Sequence, residues 1–348
     1  MHLAYNPVVP PVTLVTGGAG FIGSAVVWAL NTRGEDRILV ADRLDRSEKW
    51  RNLAPLRFDD YLEADALLAA IERGTLDRVQ TVYHLGACSS TTETDAAFLI
   101  RNNYEFTKTL AEWAVRSNIR FVYASSAATY GALEGELSDA TDLSQLRPLN
   151  MYAYSKHLFD RYAARHGYAD RIVGLKYFNV FGPNEDHKGE MRSMVHKACE
   201  QIRETGRVRL FKSDRPEFRD GEQRRDFVYV KDAVEMTLHA AAQPGLCGLV
   251  NVGSGQAHTW LELMRAVFTA MQIPVNIDFV EMPAQLRGKY QYSTCATIDR
   301  IRASGYTRRM TPLADAVADY LRGYLLPNRR LGDESRLAAM SHSPSDVH

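Results

Sequence analysis

From residue 12 to about residue 256, short apolar runs alternate with longer stretches in which apolar positions recur every three or four residues. The short runs predict buried strands, and the longer period predicts helices. Val12–Thr16 reads as a strand, residues 17–23 as a turn, residues 24–32 as a helix and residues 37–41 as a second strand ending at Asp42. That is a βαβ unit. Further strands are predicted at 81–84, 121–124 and 172–177, separated by helical patterns that include 103–116 and 154–166. This alternation predicts an α/β fold, a Rossmann-type doubly wound parallel sheet covered by helices on both faces.

Past residue 178 the texture changes to irregular stretches, including a charged, turn-prone segment at 212–225. Strand-like runs at 227–230 and 249–252 predict a return to the sheet before a helix at Trp260–Met271. The implied organisation is a dinucleotide-binding domain at 12–178 with returning segments near 226–256. A smaller, interleaved substrate-binding α/β domain is formed from 179–225 and 257–326. Residues 1–11 form a proline-containing extension, and the polar stretch 329–348 reads as a loose tail.

Composition narrows the function classes. The 348 residues carry 42 Lys plus Arg against 42 Asp plus Glu, so no global field draws the chain to nucleic acid or a membrane surface. No run reaches the ~20 apolar residues of a membrane span, and the N-terminal segment lacks the basic start and apolar core of a secretory signal. Cys88, Cys199, Cys247 and Cys295 are scattered without CxxC or Cys/His metal spacing. They suit reduced thiols in a cytoplasmic protein and predict neither a disulfide nor a metal.

The candidate chemistry starts at Gly17, Gly20 and Gly23, which lie between a strand and a helix. Glycine there permits a tight turn, close approach of the backbone to a pyrophosphate and close helix packing. Phe21 and Ile22 lead into the helix, whose N-terminus offers free N–H groups for phosphates. Asp42, ending the second strand, is placed to bind an adenosine ribose, a feature of NAD sites. Arg43, Arg46, Lys49 and Arg51 follow at once and can pair with a ribose 2′-phosphate. The balance points to NADP, with NAD the alternative.

Tyr152 and Lys156 are four apart on a predicted helix, so both can face one cleft, where an ammonium would favour the phenolate. A tyrosine so placed is an acid/base candidate. Ser125 and Ser126 follow an apolar strand, where parallel sheets collect reactive groups, and the Ser126 hydroxyl can hydrogen-bond a substrate alcohol or carbonyl. Taken singly, a YxxxK also fits a solvated helix face and a Ser-Ser pair an ordinary turn. Their occurrence together with the glycine turn favours a hydride-transfer site.

These three elements resemble the extended short-chain dehydrogenase/reductase superfamily of nucleotide-sugar enzymes. Within it, His84-Leu85-Gly86-Ala87-Cys88-Ser89-Ser90-Thr91-Thr92-Glu93, Tyr177-Phe178-Asn179-Val180-Phe181-Gly182-Pro183, His187-Lys188-Gly189 and Arg225-Asp226-Phe227-Val228-Tyr229-Val230 resemble the ADP-L-glycero-D-manno-heptose 6-epimerase family. The likeness spans about residues 12–325. It implies a homo-oligomer such as a pentamer, an ADP-heptose substrate, bound NADP and inversion at C6 by transient oxidation, in lipopolysaccharide inner-core precursor synthesis. It carries Tyr152 over as one acid/base and Lys188 as the other, with Ser126 polarising the oxygen and Lys156 holding the nicotinamide ribose and lowering the Tyr152 pKa. It also implies Asn102 at the cofactor and Asn179, Phe211, Arg225 and Tyr290 at the substrate, with Arg225 on the diphosphate. Leu85 departs from the family, which commonly has an acidic residue there, and 213–223 is longer than the pattern expects. The main rival is another nucleotide-sugar epimerase, such as a hexose 4-epimerase. A 4,6-dehydratase fits less well, since Ala127 and Ala128 replace its acidic pair. A non-catalytic dinucleotide-binding protein is the alternative outside enzymes.

Overall fold

The computed structural model describes residues 12–283 and 290–334. The N-terminal extension, Arg287-Gly288-Lys289 of the Tyr290 motif and the tail beyond residue 334 lie outside the described residues.

The first half of the chain runs β1 (Val12–Thr16), α1 (Phe21–Thr32), β2 (Ile38–Asp42), β3 (Asp60–Glu63), α2 (Ala64–Glu72), β4 (Val79–His84), α3 (Ala96–Leu99), α4 (Phe106–Arg116), β5 (Arg120–Ser126), β6 (Gly135–Leu137) and α5 (Met151–Arg165). The second half runs β7 (Val173–Tyr177), β8 (Asn179–Phe181), α6 (Met194–Thr205), β9 (Val208–Phe211), β10 (Arg224–Tyr229), α7 (Val230–Ala242), β11 (Gly248–Val252), β12 (Ala257–Thr259), α8 (Trp260–Met271), β13 (Ile277–Val280) and β14 (Thr294–Ala296), before short C-terminal helical turns.

Seven strands form one parallel sheet in the order β11-β7-β5-β4-β1-β2-β3. Strand order reverses between β1 and β4, the switch point where doubly wound sheets bind ligands beyond the carboxyl ends of their strands. Alternate residues feed opposite faces. Leu14, Leu39, Val82, Phe121 and Tyr123 join the core under α2, α4 and α5. Val15, Val40, Tyr83 and Val122 join the core under α1 and α7. A period of two along each strand therefore covers both faces with apolar side chains.

The expected return of 227–230 to this sheet is corrected. Only β11 comes back, pairing with β7. β10 instead pairs in parallel with β8 and antiparallel with β12, forming a separate three-stranded sheet. Two small two-stranded sheets, β13-β9 and β14-β6, complete the distal part. Residues 329–334, expected in the loose tail, are held against the fold. Leu331 is buried, its N–H donates to Asn184 Oδ1 at 3.1 Å, and Arg330 pairs with Asp186 at 3.5 Å.

Candidate active site

One cleft of about 770 Å³ opens over the switch point, with the turn after β1 on one wall and the β8–β10 sheet on the other. Gly17 sits at φ +68°, and a Cβ there would fall 2.5 Å from the Gly86 nitrogen. A Cβ on Gly23 would fall 2.0 Å from the Gly17 carbonyl oxygen. Both close approaches exclude any side chain. α1 starts at Gly20 without a side-chain cap, so its first N–H groups stay open toward the cleft. Gly17, Gly20, Phe21, Ile22 and Gly23 all line it. An uncapped helix start beneath a glycine cradle fits a dinucleotide pyrophosphate.

Asp42 and Lys49 lie on the same wall. Asp42 Oδ2 accepts from the Ala19 N–H at 2.9 Å, and Oδ1 accepts from the Arg43 N–H at 2.7 Å and Lys49 Nζ at 2.8 Å. The Arg43 guanidinium turns away to Asp65 at 2.6 Å and does not line the cleft. Asn102 is likewise off the wall, because its amide donates to Asn103 Oδ1 at 3.0 Å. The buried neighbour Asn103 does the structural work, bonding the Cys88 N–H and C=O and Ser155 Oγ. Both asparagines occupy a π-helical segment, Ile100–Glu105, whose wider turn displaces the predicted helical register.

Ser126 ends β5, and Tyr152 and Lys156 project from α5, whose start is capped by the Asn150 side chain on the Ala153 N–H at 2.8 Å. All three line the cleft. At Tyr152 the net shift is upward. Burial dominates and raises the phenol, since the phenolate loses hydration, while a hydrogen bond with Ser126 opposes the rise. Lys156 itself is pushed down to about 8 by burial, against the pull of Asp160 and Cys88.

Lys188 enters from the opposite side on a 3₁₀ turn, Asp186–Met191, kinked at Gly189 with φ 54°. Its ammonium lies 5.2 Å from the Phe21 ring centroid. Burial lowers its pKa, and the buried Glu185 carboxylate opposes that shift. The turn is stitched to the cofactor wall by residues that motif reading missed. Asn52 Nδ2 donates to Ala19 O at 3.0 Å and Asn184 O at 3.1 Å, and lies 3.3 Å from His187 Nδ1. Asn184 Nδ2 reaches Ser24 Oγ on α1 at 3.0 Å. Burial, with Lys188 close by, lowers the His187 pKa to about 4, so its ring is neutral. Glu185 takes the Ser193 N–H and hydroxyl, both at 2.6 Å, fixing the start of α6.

Of the expected substrate residues, Asn179 and Arg225 line the cleft with Lys188 and Ser126. Arg225 is buried, with its guanidinium carbon 4.9 Å from the Tyr290 ring centroid and 6.0 Å from that of Trp260. Tyr290 stands behind Arg225 and accepts the Trp260 indole N–H at 2.8 Å, so it shapes the guanidinium without lining the cleft. Phe211 is off the wall as well, at the end of β9 and paired with Val280. Leu85 lines the cofactor side, where it packs against the core and offers no carboxylate.

The profile of the NAD dependent epimerase/dehydratase family matches residues 13–253. The chain belongs to this family. It is 51% identical over 317 residues to an ADP-L-glycero-D-manno-heptose-6-epimerase of Nitratidesulfovibrio vulgaris (strain DP4), covering 90% of this chain and 97% of that protein. Its fold is similar to the crystal structure of the Helicobacter pylori ADP-L-glycero-D-manno-heptose-6-epimerase, with a TM-score of 0.75 and 26% identity over 90% of this chain and 96% of that one. A Thermus thermophilus UDP-glucose 4-epimerase in complex with NAD gives a TM-score of 0.71 and 26% identity, covering 89% and 99% respectively. Family membership makes the chain an epimerase dependent on a nicotinamide dinucleotide. Among the described residues, no helix is long and apolar enough to cross a membrane.

Proposed function

We propose that this epimerase interconverts ADP-D-glycero- and ADP-L-glycero-D-manno-heptose, inverting C6 by oxidation and re-reduction on the opposite face. The observation that carries this reading is the pairing of Tyr152, beside Ser126 on one side of the cleft, with Lys188 on an independent turn at the other. Inversion needs proton transfer from two directions, and two acid/base groups on different elements supply it.

The nicotinamide, when bound, takes the C6 hydride and later returns it. Ser126 holds the C6 oxygen by its hydroxyl. In one direction Tyr152 accepts the hydroxyl proton as C6 becomes a ketone. After the ketone turns over, Lys188 gives a proton to the oxygen as the opposite face is reduced. The reverse direction exchanges the two roles. Desolvation favours a lysine that can shed its proton. The buried Arg225, braced by aromatic faces, suits the diphosphate. Asn179 and Lys188 would orient the heptose, Lys156 the nicotinamide ribose.

NADP is the favoured form of the cofactor. Three contacts already occupy the Asp42 carboxylate, which leaves it poorly free to accept a ribose diol, and Lys49 beside it offers charge to a 2′-phosphate. Relatives named for the heptose reaction match nearly their whole length, which favours this substrate over the hexoses of 4-epimerases. A homo-oligomer in the cytoplasm is the expected working form.

The test is incubation of the purified protein with ADP-D-glycero-D-manno-heptose, following C6 by NMR and assaying bound cofactor. Conversion to an epimeric mixture without net cofactor consumption is expected. Turnover of UDP-hexoses in its place would overturn the substrate, and NAD as the retained cofactor would overturn the NADP reading.

A further inference from the structure

Beneath the reacting residues lies a charged pair that the proposed reaction leaves unused. Asp160 and Lys176 are 2% and 1% exposed, and Lys176 Nζ stands 3.5 Å from Asp160 Oδ2. Asp160 continues the α5 face that begins at Tyr152 and Lys156, one further turn along. Its carboxylate accepts from Ser125 Oγ at 2.7 Å and from the Tyr123 hydroxyl at 2.9 Å, both on β5. Lys176, near the carboxyl end of β7, donates to Thr129 Oγ1 and lies 4.6 Å from the Tyr130 ring centroid. Thr129 Oγ1 in turn donates to the Ser126 carbonyl at 2.7 Å. The pair thus grips the Ser126 turn twice, through Ser125 and through Thr129.

We propose that Asp160 and Lys176 are positioning residues for the reaction: they clamp the Ser126 turn from below and keep the charge beneath Tyr152 and Lys156 balanced. A buried ion pair is weak evidence for stability, since desolvation offsets the attraction. Its place against both the Ser126 turn and the Tyr152 face accounts for it better. The groups that face Asp160 are Tyr123 and Ser125 from β5, Tyr130 from the turn after it, Lys176 from β7, and Tyr152, Lys156 and His157 from α5. Lys176 also faces Asp139. Cys88 and His84 complete the charged and titratable surroundings of Tyr152 and Lys156.

The inference rests on Tyr152 as the acid/base, so pH profiles of kcat are compared in five variants. Asp160→Asn leaves Lys176 uncompensated, favours the phenolate and should move the acid limb down by about one unit. Lys176→Met leaves Asp160 uncompensated and should move it up by about as much. Lys176→Arg keeps the charge and should leave the limb unmoved. Limbs that stay fixed, or that move the same way in both neutralised variants, overturn the charge balance. An uncompensated buried charge risks unfolding, so the double variant Asp160→Asn/Lys176→Met is measured with its Tm and cofactor affinity. It should fold and bind cofactor normally, show a limb near that of the parent, and lose roughly tenfold or more in kcat because Ser126 is no longer held. Full kcat in the folded double variant overturns the clamp. Tyr152→Phe should abolish the limb, and its persistence would count against the Tyr152 reading, while the double variant still decides the clamp.

Discussion

The two sides of the cleft are built differently. Ser126, Tyr152 and Lys156 stand on a sheet strand and a long capped helix, with a buried network under them. Lys188 stands on a six-residue 3₁₀ turn whose place depends on hydrogen bonds from Asn52, Asn184 and Glu185 to other elements. One proposed acid/base is positioned by secondary structure, the other by polar side chains. The side built on regular elements should tolerate loss of single polar contacts better than the side tied by them.

The largest effects should come from the two proposed acid/base groups. Tyr152→Phe and Lys188→Met should each lower kcat by about 10²–10⁴-fold while leaving cofactor affinity nearly intact, as read by steady-state rates and cofactor titration. Full activity in either would remove that side from the comparison. Gly23→Val comes next, because its Cβ would strike the Gly17 carbonyl and push the turn out of shape. Cofactor titration should find binding lost, and normal affinity would contradict the cradle.

Asn52→Leu should sharpen the contrast. It strips two buried carbonyls, Ala19 O and Asn184 O, of their donor and should cost about 1–3 kcal/mol in denaturant unfolding. Single-turnover oxidation of the epimer whose hydroxyl proton goes to Lys188 should fall more than oxidation of the other epimer. An equal loss with both epimers would break the claim that Asn52 serves the Lys188 side.

The smallest effect is a pH dependence. Lys156 in the free protein ionises near 8, so its ammonium is present below that pH and lost as pH rises through it. Cofactor affinity should weaken above about pH 8, and Lys156→Arg should remove that dependence. The stability sign is separate. The unfolded lysine holds its proton to higher pH, so the contribution of this group to stability rises with pH above about 8.

Legibility in the sequence followed the same division. β1 and α8 fall where their patterns predict, and Gly17, Gly20, Gly23, Ser126, Tyr152 and Lys156 come together as their spacing requires. Strand period and i, i+4 spacing are local signals, and these residues lie on regular elements or in the tight turn that joins β1 to α1. Arg43, Asn102, Phe211 and Tyr290 were carried by pattern alone, and each is turned aside by a contact distant in sequence or by the π-helical register. Asn52, Asn184 and Glu185 have no motif, since their value lies in partners up to 160 positions away. A short strand at β10 cannot reveal from its apolar pattern which sheet it joins, and it joined the smaller one.

The most direct test is a single turnover from each epimer, read by the near-ultraviolet absorbance of the reduced nicotinamide. Tyr152→Phe should fail to oxidise one epimer and retain oxidation of the other, and Lys188→Met should show the opposite selectivity. Equal loss with both epimers in both variants would contradict a site with one acid/base on each side of the cleft.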